Sequence, residues 1–330
     1  MTLYVTGAGG FVGLNILEAA LGDGQAVCAI SDRPLFAPAL RVLERLPGSL
    51  DIVIADVRDP KALASAFARH RPSAVIHAAA ITLGPGGTIA PAERVVDVNI
   101  VGTEQVMEAA VAAGARRFVY PSSVAVYGAA PFRAAVTEET PPEPAGLYGF
   151  TKLASERLLT AAARTRGFEL AVGRIVATFG PWEHDTGVRE TLSPPFQLAC
   201  RALDGLPASM PKGGARDWTY SPDIARALLT LASAPSLPRT VYNISASDLW
   251  HPSRLAAALA ARLGRPIDTE HTGPGYDIAF NDNVDAVRKP VIGAAFEQDL
   301  GFRYTPIADA VEAYADWIVA AGRDALGGKA

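Results

Sequence analysis

A tyrosine and a lysine four residues apart, Tyr148 and Lys152, form the first candidate for chemistry in this sequence. On a helix, residues at this spacing share one face and stand one turn apart. A lysine cation near a phenol lowers the phenol's pKa, toward the range that suits a general base at neutral pH. The bare pattern is common and usually marks a surface pair. Here Ser123 ends a predicted strand shortly before it, where its hydroxyl can donate to a substrate oxygen, and this context favours catalysis.

A glycine-rich turn near the N-terminus is the second candidate. An apolar run precedes Gly7, Gly10 and Gly13, and Leu14 and Leu17 follow at helical spacing, so the predicted order is strand, turn, helix. Glycine accepts a positive φ and lets a ligand approach the backbone, while the helix N-terminus offers N–H groups to a pyrophosphate. A plain tight turn is the alternative for this segment taken alone. A Walker phosphate loop is excluded, because no Gly-Lys-Ser/Thr follows.

Distinctive residues also follow the next predicted strands, at the sheet edge where parallel α/β sheets bind ligands. Asp32 stands nineteen positions after Gly13, near the spacing at which a carboxylate meets the adenosine ribose of NAD. Arg33 beside it could instead turn toward the 2′-phosphate of NADP, and a solvated loop carboxylate is the simpler alternative for Asp32. Asp56 could accept a hydrogen bond from the adenine amino group. Small side chains that would let a cofactor lie against the backbone end the fourth strand: Ala78, Ala79 and Ala80.

These segments belong to an alternation of strands and helices that runs from residue 1 to about 175. Strands are predicted at 2–6, 26–30, 51–55, 74–77, 117–121 and 169–175, and helices notably at 60–70, 91–113 and 148–166. Strands separated by helices predict a parallel sheet covered on both faces. The second half is punctuated by prolines, with helices predicted at about 222–234, 252–263 and 307–321. We therefore predict a dinucleotide-binding domain at 1–175 and a smaller mixed α/β substrate lobe at 176–330, with the chain crossing back to the sheet.

Composition excludes several classes of protein. With 49% hydrophobic and 19% charged residues, the 330-residue chain can bury a sizeable core. A net charge of −4 and the lack of a Lys/Arg cluster give no basis for nucleic-acid binding. No apolar run is long enough to span a membrane, and no leader is apparent. Two cysteines imply no disulfide framework, so we expect a reducing, cytoplasmic location.

Two rival chemistries find little support in the residues. Ser123, His184 and Asp185 suggest a hydrolase triad, but no Gly-x-Ser-x-Gly elbow is present, and adjacent His and Asp cannot easily orient each other. The histidines show no metal-ligand spacing, so no metal site is predicted. His77, at the end of an apolar strand, is most simply a histidine packed in the core.

Taken together, these residues resemble the extended short-chain dehydrogenase/reductase superfamily, in its NAD-dependent epimerase/dehydratase group. The resemblance covers almost the whole chain. Its motifs are Thr6-Gly7-x-x-Gly10-x-x-Gly13, Asp56-Val57, His77-Ala78-Ala79-Ala80, Asn99-x-x-Gly102-Thr103, Ser122-Ser123-x-x-Val126-Tyr127-Gly128 and Tyr148-x-x-x-Lys152. Arg174 with Phe179-Gly180-Pro181 looks like the segment that closes the site, and Arg216 to Tyr220 looks like the segment under a nucleotide sugar.

The resemblance implies a Rossmann-type doubly wound parallel sheet of about seven strands and a bound NAD, with NADP possible. It implies that Tyr148 is the base or acid, that Lys152 holds the nicotinamide ribose and that Ser123 polarises the substrate oxygen. Asn99 is a supporting residue that helps to position the active-site helix. The implied cofactor contacts are Gly7, Gly10, Phe11, Val12, Gly13, Asp32, Arg33, Asp56, Val57, Ala78, Ala79, Ala80, Asn99, Tyr148 and Lys152. A homodimer is also implied, with the helices at 91–113 and 148–166 as its interface.

Departures from the family pattern bear on the substrate. Ala177 stands where members that bind nucleotide sugars usually carry an asparagine, and it offers no side-chain donor to a diphosphate. Val124 and Ala125 replace the acidic pair of the dehydratases, which disfavours a 4,6-dehydratase. Arg189 or Arg216 could clamp a carboxylate or phosphate, although a surface arginine paired with a local acid is the simpler alternative for each. The candidate substrate contacts are Thr82, Ser123, Thr178, Arg189 and Arg216.

Three functions remain open on the sequence. The preferred hypothesis is an NAD(P)-dependent dehydrogenase that moves a hydride at a secondary alcohol of a sugar-like or polyhydroxylated substrate. If the oxidised product rotates in the site before hydride returns, the same residues serve a nucleotide-sugar epimerase resembling UDP-glucose 4-epimerase. A non-catalytic dinucleotide sensor or scaffold is the remaining alternative, but it would not need Ser123, Tyr148 and Lys152 together.

Overall fold

A computed structural model describes residues 2–83, 89–187, 192–270, 275–280 and 286–327. The strands are β1 (Thr2–Thr6), β2 (Ala26–Ser31), β3 (Ser49–Ile54), β4 (Pro72–His77), β5 (Arg117–Ser123), β6 (Glu169–Ile175), β7 (Thr178–Phe179), β8 (Thr219–Tyr220) and β9 (Val241–Ile244). The helices are α1 (Phe11–Gly22), α2 (Ala37–Leu43), α3 (Pro60–Phe67), α4 (Ala92–Val96), α5 (Gly102–Ala112), α6 (Leu147–Arg166), α7 (Pro194–Asp204), α8 (Ser221–Ser233), α9 (Ser253–Leu263), α10 (Ala294–Leu300) and α11 (Ile307–Ala321).

The main sheet has seven strands, in the order β3-β2-β1-β4-β5-β6-β9, and every neighbouring pair is parallel. Its order reverses between β1 and β4, so the crevice beyond their carboxyl ends is the topological switch point where ligands bind in such sheets. The predicted Rossmann-type fold is therefore confirmed. The seventh strand, β9, lies outside the predicted strand segments and comes from the second half of the chain.

Strand residues alternate between two apolar layers, one on each face of the sheet. In β1, Val5 faces the layer that contains α1 and α8, and Tyr4 faces the layer that contains α3, α5 and α6. Cys28 and Ala29 of β2 divide between the two layers in the same way. Because both faces are covered, the strands read as continuous apolar runs in the sequence.

The second half of the chain contributes both to the main sheet with its covering helices and to a smaller lobe. Helix α8 packs against α1 and covers the sheet, and β9 extends the sheet beside β6. Helices α7, α9 and α11 instead enclose a separate apolar core around Phe179, Trp218 and Trp250. This smaller lobe stands beside the carboxyl ends of β5 and β6, so its first residues, which follow β6, border the ligand crevice.

The helix predicted at 91–113 is interrupted. Between α4 and α5 the backbone forms one π-helical stretch at Asp97–Val101, which contains the buried Asn99. Such π-bulges are frequent at functional sites, because the extra residue in the turn re-aims a side chain. In the sequence, Gly102 follows this stretch directly, but the apolar periodicity does not mark the change.

Candidate active site

The glycine turn brings β1, α1 and the end of β4 into close contact. Gly7 has φ +65°, and a Cβ there would stand 2.5 Å from the Ala79 nitrogen. A Cβ on Gly13 would stand 2.2 Å from the Gly7 carbonyl oxygen. No side chain caps the N-terminus of α1, and no acidic residue occupies its first turn. This end of the crevice therefore suits a pyrophosphate, as the glycine pattern predicts.

A cavity of about 310 Å³ opens beyond the carboxyl ends of β1, β2 and β3. Asp32, Asp56 and Val57 line it, as do Ala78, Ala79 and Ala80. Each of its two predicted carboxylates is paired with a nearby arginine, Asp32 with Arg33 at 2.7 Å and Asp56 with Arg58 at 2.6 Å. The guanidinium of Arg58 also holds the pKa of Asp56 below its usual range. Both pairs are largely solvated, so they leave the carboxylate oxygens accessible to hydroxyl donors.

A second cavity, of about 250 Å³, lies beyond β5 and β6. It brings together the three predicted catalytic residues, Ser123, Tyr148 and Lys152. Predicted ligand contacts also line it: Phe11, Val12, Gly13, Thr82 and Thr178. The two cavities share residues at the glycine turn and at the end of β4, so they form one continuous cleft.

Lys152 is enclosed in this cleft and is 3% exposed. Its Nζ donates to the Pro121 carbonyl oxygen at 2.7 Å and lies 4.7 Å from the Tyr120 ring centroid and 5.9 Å from the Tyr148 ring centroid. Burial lowers the pKa of Lys152 to about 7, and the Glu156 carboxylate partly opposes this shift. The amine can therefore gain or lose a proton near neutral pH.

Ser123 ends β5 and begins a short 3₁₀ turn, Val124–Tyr127. Its Oγ accepts a hydrogen bond from the Ala125 nitrogen at 3.2 Å, which orients the side chain at the strand end. A hydroxyl that accepts one bond can still donate its own proton. Val124 and Ala125 do not line the second cavity, and no carboxylate is found among the described residues that do.

Asn99 lies behind the cleft rather than in its lining. Its Oδ1 accepts from the Ile81 nitrogen at 2.8 Å, and its Nδ2 donates to the Ile81 carbonyl and to the Thr151 hydroxyl, both at 3.0 Å. Because Ile81 lines the first cavity and Thr151 precedes Lys152, Asn99 joins the first cavity to α6. Asn99 lines neither cavity, so the cofactor contact that the resemblance implies for it is not seen, while its supporting role remains a prediction.

Arg174 does not close the cleft, although its motif was expected to do so. It lies in the core behind the catalytic helix, where its Nη2 is 2.7 Å from Glu156 Oε2 and its Nη1 donates to the Tyr127 hydroxyl at 2.9 Å. Burial by itself lowers the pKa of Arg174, but the Glu156 carboxylate raises it above its usual range. Glu156 lies one turn beyond Lys152 on α6 and Arg174 lies on β6, so the pair joins that helix to β6.

One predicted substrate residue, Arg216, is not brought to the cleft. Arg216 is buried in the smaller lobe, where its backbone pairs with Trp250, and it lines neither cavity. Arg189 lies outside the described residues. Ala177 does line the second cavity beside Thr178, so the position that departs from the family pattern faces the reacting end of the cleft.

Sequence reasoning missed a group of residues that line the cleft from the second half of the chain. His184 and Thr186 line both cavities, and Ile175 and Val176 line the second. Ile175 ends β6 and Val176 follows it, whereas His184 and Thr186 come just after the motif segment that ends at Pro181, and that position was their signal in the sequence. His77 is buried between Thr6 and Thr103, and burial lowers its pKa to about 3, so it is the packed neutral histidine that was predicted.

Among the described residues, no group of three or more histidine, cysteine, aspartate or glutamate side chains is placed to hold a metal ion. None of the helices in this part of the chain is both long and apolar enough to cross a membrane.

Comparisons with known proteins agree with this geometry. The model of the NAD dependent epimerase/dehydratase family matches residues 3–245. The dTDP-glucose 4,6-dehydratase 1 of Escherichia coli K12 is 31% identical over 266 residues, which cover 74% of this chain and 72% of that protein. The dTDP-L-rhamnose 4-epimerase of Burkholderia thailandensis is 27% identical, over 80% of this chain and 82% of its own.

Solved structures with the same fold cover nearly the whole chain. MoeE5 in complex with UDP-glucuronic acid and NAD superposes with a TM-score of 0.75 at 27% identity, over 97% of this chain and 99% of its own. The UDP-glucose 4-epimerase of Thermotoga maritima gives a TM-score of 0.80 at 21% identity, with the same coverage. This chain therefore belongs to the NAD dependent epimerase/dehydratase family and is an NAD-dependent enzyme of the extended short-chain dehydrogenase/reductase type.

Proposed function

We propose that the protein is a dehydrogenase that oxidises or forms a secondary alcohol of a sugar-like substrate, with NAD held along the cleft. Asp32 would accept hydrogen bonds from the adenosine ribose, the glycine turn would hold the pyrophosphate, and the residues of the second cavity would hold the nicotinamide end. The fit rests on Gly7 and Gly13, where a Cβ would collide with backbone atoms, and on the uncapped N-terminus of α1. When bound, NAD supplies the hydride acceptor.

The residues of the second cavity supply the proton chemistry. Ser123 donates a hydrogen bond to the reacting oxygen and fixes the position of that oxygen. Tyr148 takes the proton of the substrate hydroxyl as the C–H bond at the alcohol carbon is broken. Lys152 holds the nicotinamide ribose and, in its ammonium form, stabilises the phenolate of Tyr148. The observation that carries this proposal is the convergence of all three side chains on one cavity that is continuous with the glycine turn.

The lining of the second cavity limits the substrate. Ala177 offers no side-chain donor to a nucleotide diphosphate, and the absence of a described carboxylate leaves no obvious acid for the elimination of water. Both features favour plain hydride transfer over a 4,6-dehydratase reaction, although several relatives are named as dehydratases. Sugar acids and polyols are therefore the first substrates to test, followed by nucleotide sugars.

A nucleotide-sugar epimerase is the second candidate, and the similarity to the dTDP-L-rhamnose 4-epimerase favours it. The two functions differ in their use of NAD. A dehydrogenase reduces added NAD in step with substrate consumption, so the absorbance of the reduced nicotinamide rises with product. An epimerase converts substrate without a net change in that absorbance. A screen of sugar acids, polyols and nucleotide sugars by both absorbance and product analysis decides between them, and no turnover on any class would contradict both.

We propose a homodimer built on α4, α5 and α6. Three of the large apolar side chains that remain exposed lie on this part of the chain, Val96 at 36%, Val101 at 43% and Phe150 at 55%. Such residues together favour an interface with a second copy.

The two free cysteines, Cys28 and Cys200, support the proposed cytoplasmic location.

Replacing Phe150 with aspartate is expected to convert the dimer to a monomer, because it puts a charge at the centre of the apolar interface. Light scattering coupled to size-exclusion chromatography measures the mass directly. Leu206→Asp is the matched control, since Leu206 is 49% exposed and lies after α7, away from these helices. A native protein that elutes as a monomer, or a Phe150→Asp variant that stays dimeric, would contradict the proposed interface.

A further inference from the structure

A short segment of the smaller lobe borders both cavities of the cleft. We call Trp182–Gly187 the strap. Its residues His184 and Thr186 line both cavities, as do Gly7 and Gly10 of the glycine turn. The strap therefore borders the cleft at the junction of its two cavities, where the pyrophosphate of a dinucleotide bound as proposed would lie.

The strap is fixed at both ends to elements of the first half. Trp182 has φ +69°, an uncommon conformation for a large side chain, and its Nε1 donates to Glu18 of α1 at 2.6 Å. Near the other end, Arg33 Nη1 donates to the Thr186 carbonyl oxygen at 2.8 Å. These contacts make the strap a preformed wall of the cleft.

Within the strap, the His184 ring is held in one orientation. It stacks on Phe36 with ring centroids 4.4 Å apart and an interplanar angle of 9°. Its Nδ1 lies 2.9 Å from the Trp182 carbonyl oxygen. A carbonyl oxygen only accepts, so Nδ1 carries a proton, and the second ring nitrogen, Nε2, is the one left to meet a ligand.

Burial and the charges around His184 determine whether its Nε2 is protonated. Burial lowers the pKa of His184, and Arg33 lowers it further, while the Trp182 carbonyl and the Glu183 and Asp185 carboxylates act in the opposite direction. In the protein alone, Nε2 is therefore unprotonated near neutral pH and has no proton to donate. The negative charge of a pyrophosphate beside the ring would reverse this balance and favour the imidazolium.

We propose that His184 is a cofactor-binding residue that donates from a protonated Nε2 to the pyrophosphate, so that dinucleotide binding takes up a proton from solvent. The inference rests on the proposed placement of NAD. Because the ring gains its proton in the complex, NAD affinity is highest at low pH and falls as the pH rises through the pKa of the bound state.

Calorimetric titration of the purified protein with NAD measures both the proton uptake and the NAD affinity. Comparing two buffers of different ionisation enthalpy gives the protons taken up, and repeating the titration between about pH 6 and pH 8.5 gives the affinity profile. Lys152 titrates in the same range, with a pKa of about 7. The contribution of His184 is therefore the difference between the native protein and His184→Gln, both of which retain Lys152.

Near pH 6 we expect His184→Gln to bind NAD about tenfold more weakly than the native protein, because a charge-assisted hydrogen bond is lost. Near pH 8.5 the two proteins should agree within about twofold. His251→Gln is the matched control: this half-buried histidine also has a lowered pKa and an aromatic neighbour, Phe280, but lines neither cavity. It should bind as the native protein does.

Proton NMR gives the same test without a variant. With NAD added, the titration midpoint of one of the five histidine imidazoles should move to higher pH. If NAD binds with equal affinity and equal proton uptake in the native protein and His184→Gln, and no imidazole midpoint moves, the role of His184 is wrong while the proposed function stands. If NAD does not bind the native protein at any pH, the proposed function itself fails.

Discussion

Replacing Tyr148 with phenylalanine is expected to lower turnover about a thousandfold, the usual contribution of a positioned general base. The change removes one oxygen from the second cavity and leaves Ser123 and Lys152 in place. The glycine turn and the first cavity, which hold most of the cofactor as proposed, are untouched. NAD affinity should therefore stay within about threefold of the native value. Initial rates with the substrate found in the screen, together with calorimetric titration of NAD, separate the two effects.

Tyr276→Phe controls for the substitution itself, because Tyr276 is 48% exposed and lines neither cavity. It should retain native turnover. If Tyr148→Phe kept more than about a tenth of the native rate, another group would have to take the proton, and the assignment of Tyr148 as base would be wrong. A variant that lost NAD binding as well would show that the tyrosine holds the cofactor more than it serves the proton transfer.

The second large effect concerns the buried ion pair behind the catalytic helix. Arg174→Met is expected to reduce the free energy of unfolding by about 3–5 kcal/mol, because it leaves the Glu156 carboxylate buried without its partner. Both side chains are nearly excluded from solvent, at 7% and 5% exposure. Replacing the two together, as Arg174→Met with Glu156→Met, should recover part of the loss, since the buried carboxylate that lost its partner is also removed. Urea unfolding of the three proteins measures the difference.

An exposed pair of the same residue types provides the control. Arg166 and Glu108 are also in contact, but their side chains are 41% and 38% exposed. Arg166→Met should change the free energy of unfolding by no more than about 1 kcal/mol, because solvated pairs contribute little. Equal losses in the two arginine variants would contradict the view that burial is what makes Arg174 important.

Much of the site was predictable because its signals are local in the chain. The four-residue spacing of Tyr148 and Lys152 places them on one face of any helix, and the glycine turn requires contacts within a single strand–turn–helix unit. Ser123 at a strand end follows from the apolar run before it. Once these strands are parallel, their carboxyl ends meet at one edge, so the sequence also predicts that the three side chains converge.

Other features depend on contacts between segments that are distant in the chain. Arg174 carries the same charge whether it faces a ligand or Glu156, and only the packing of α6 on β6 puts it in the core. Arg216 is buried for the same kind of reason, by the pairing of its backbone with Trp250. The π-helical turn at Asn99 has no periodic signal in the sequence. It depends on the hydrogen bonds that Asn99 makes with Ile81 and Thr151, which are distant in the chain.

By itself, the sequence determined the alternation of strands and helices to about residue 175, the glycine turn and the three side chains proposed for the reaction. The tertiary structure decided which part of the second half reaches the cofactor cleft. His184 follows Phe36 by 148 positions, yet their rings stack, and no repeat or spacing in the chain encodes that contact. The physical reason is that spacing along the chain specifies which face of an element a residue occupies. Which other element covers that face is settled only by packing.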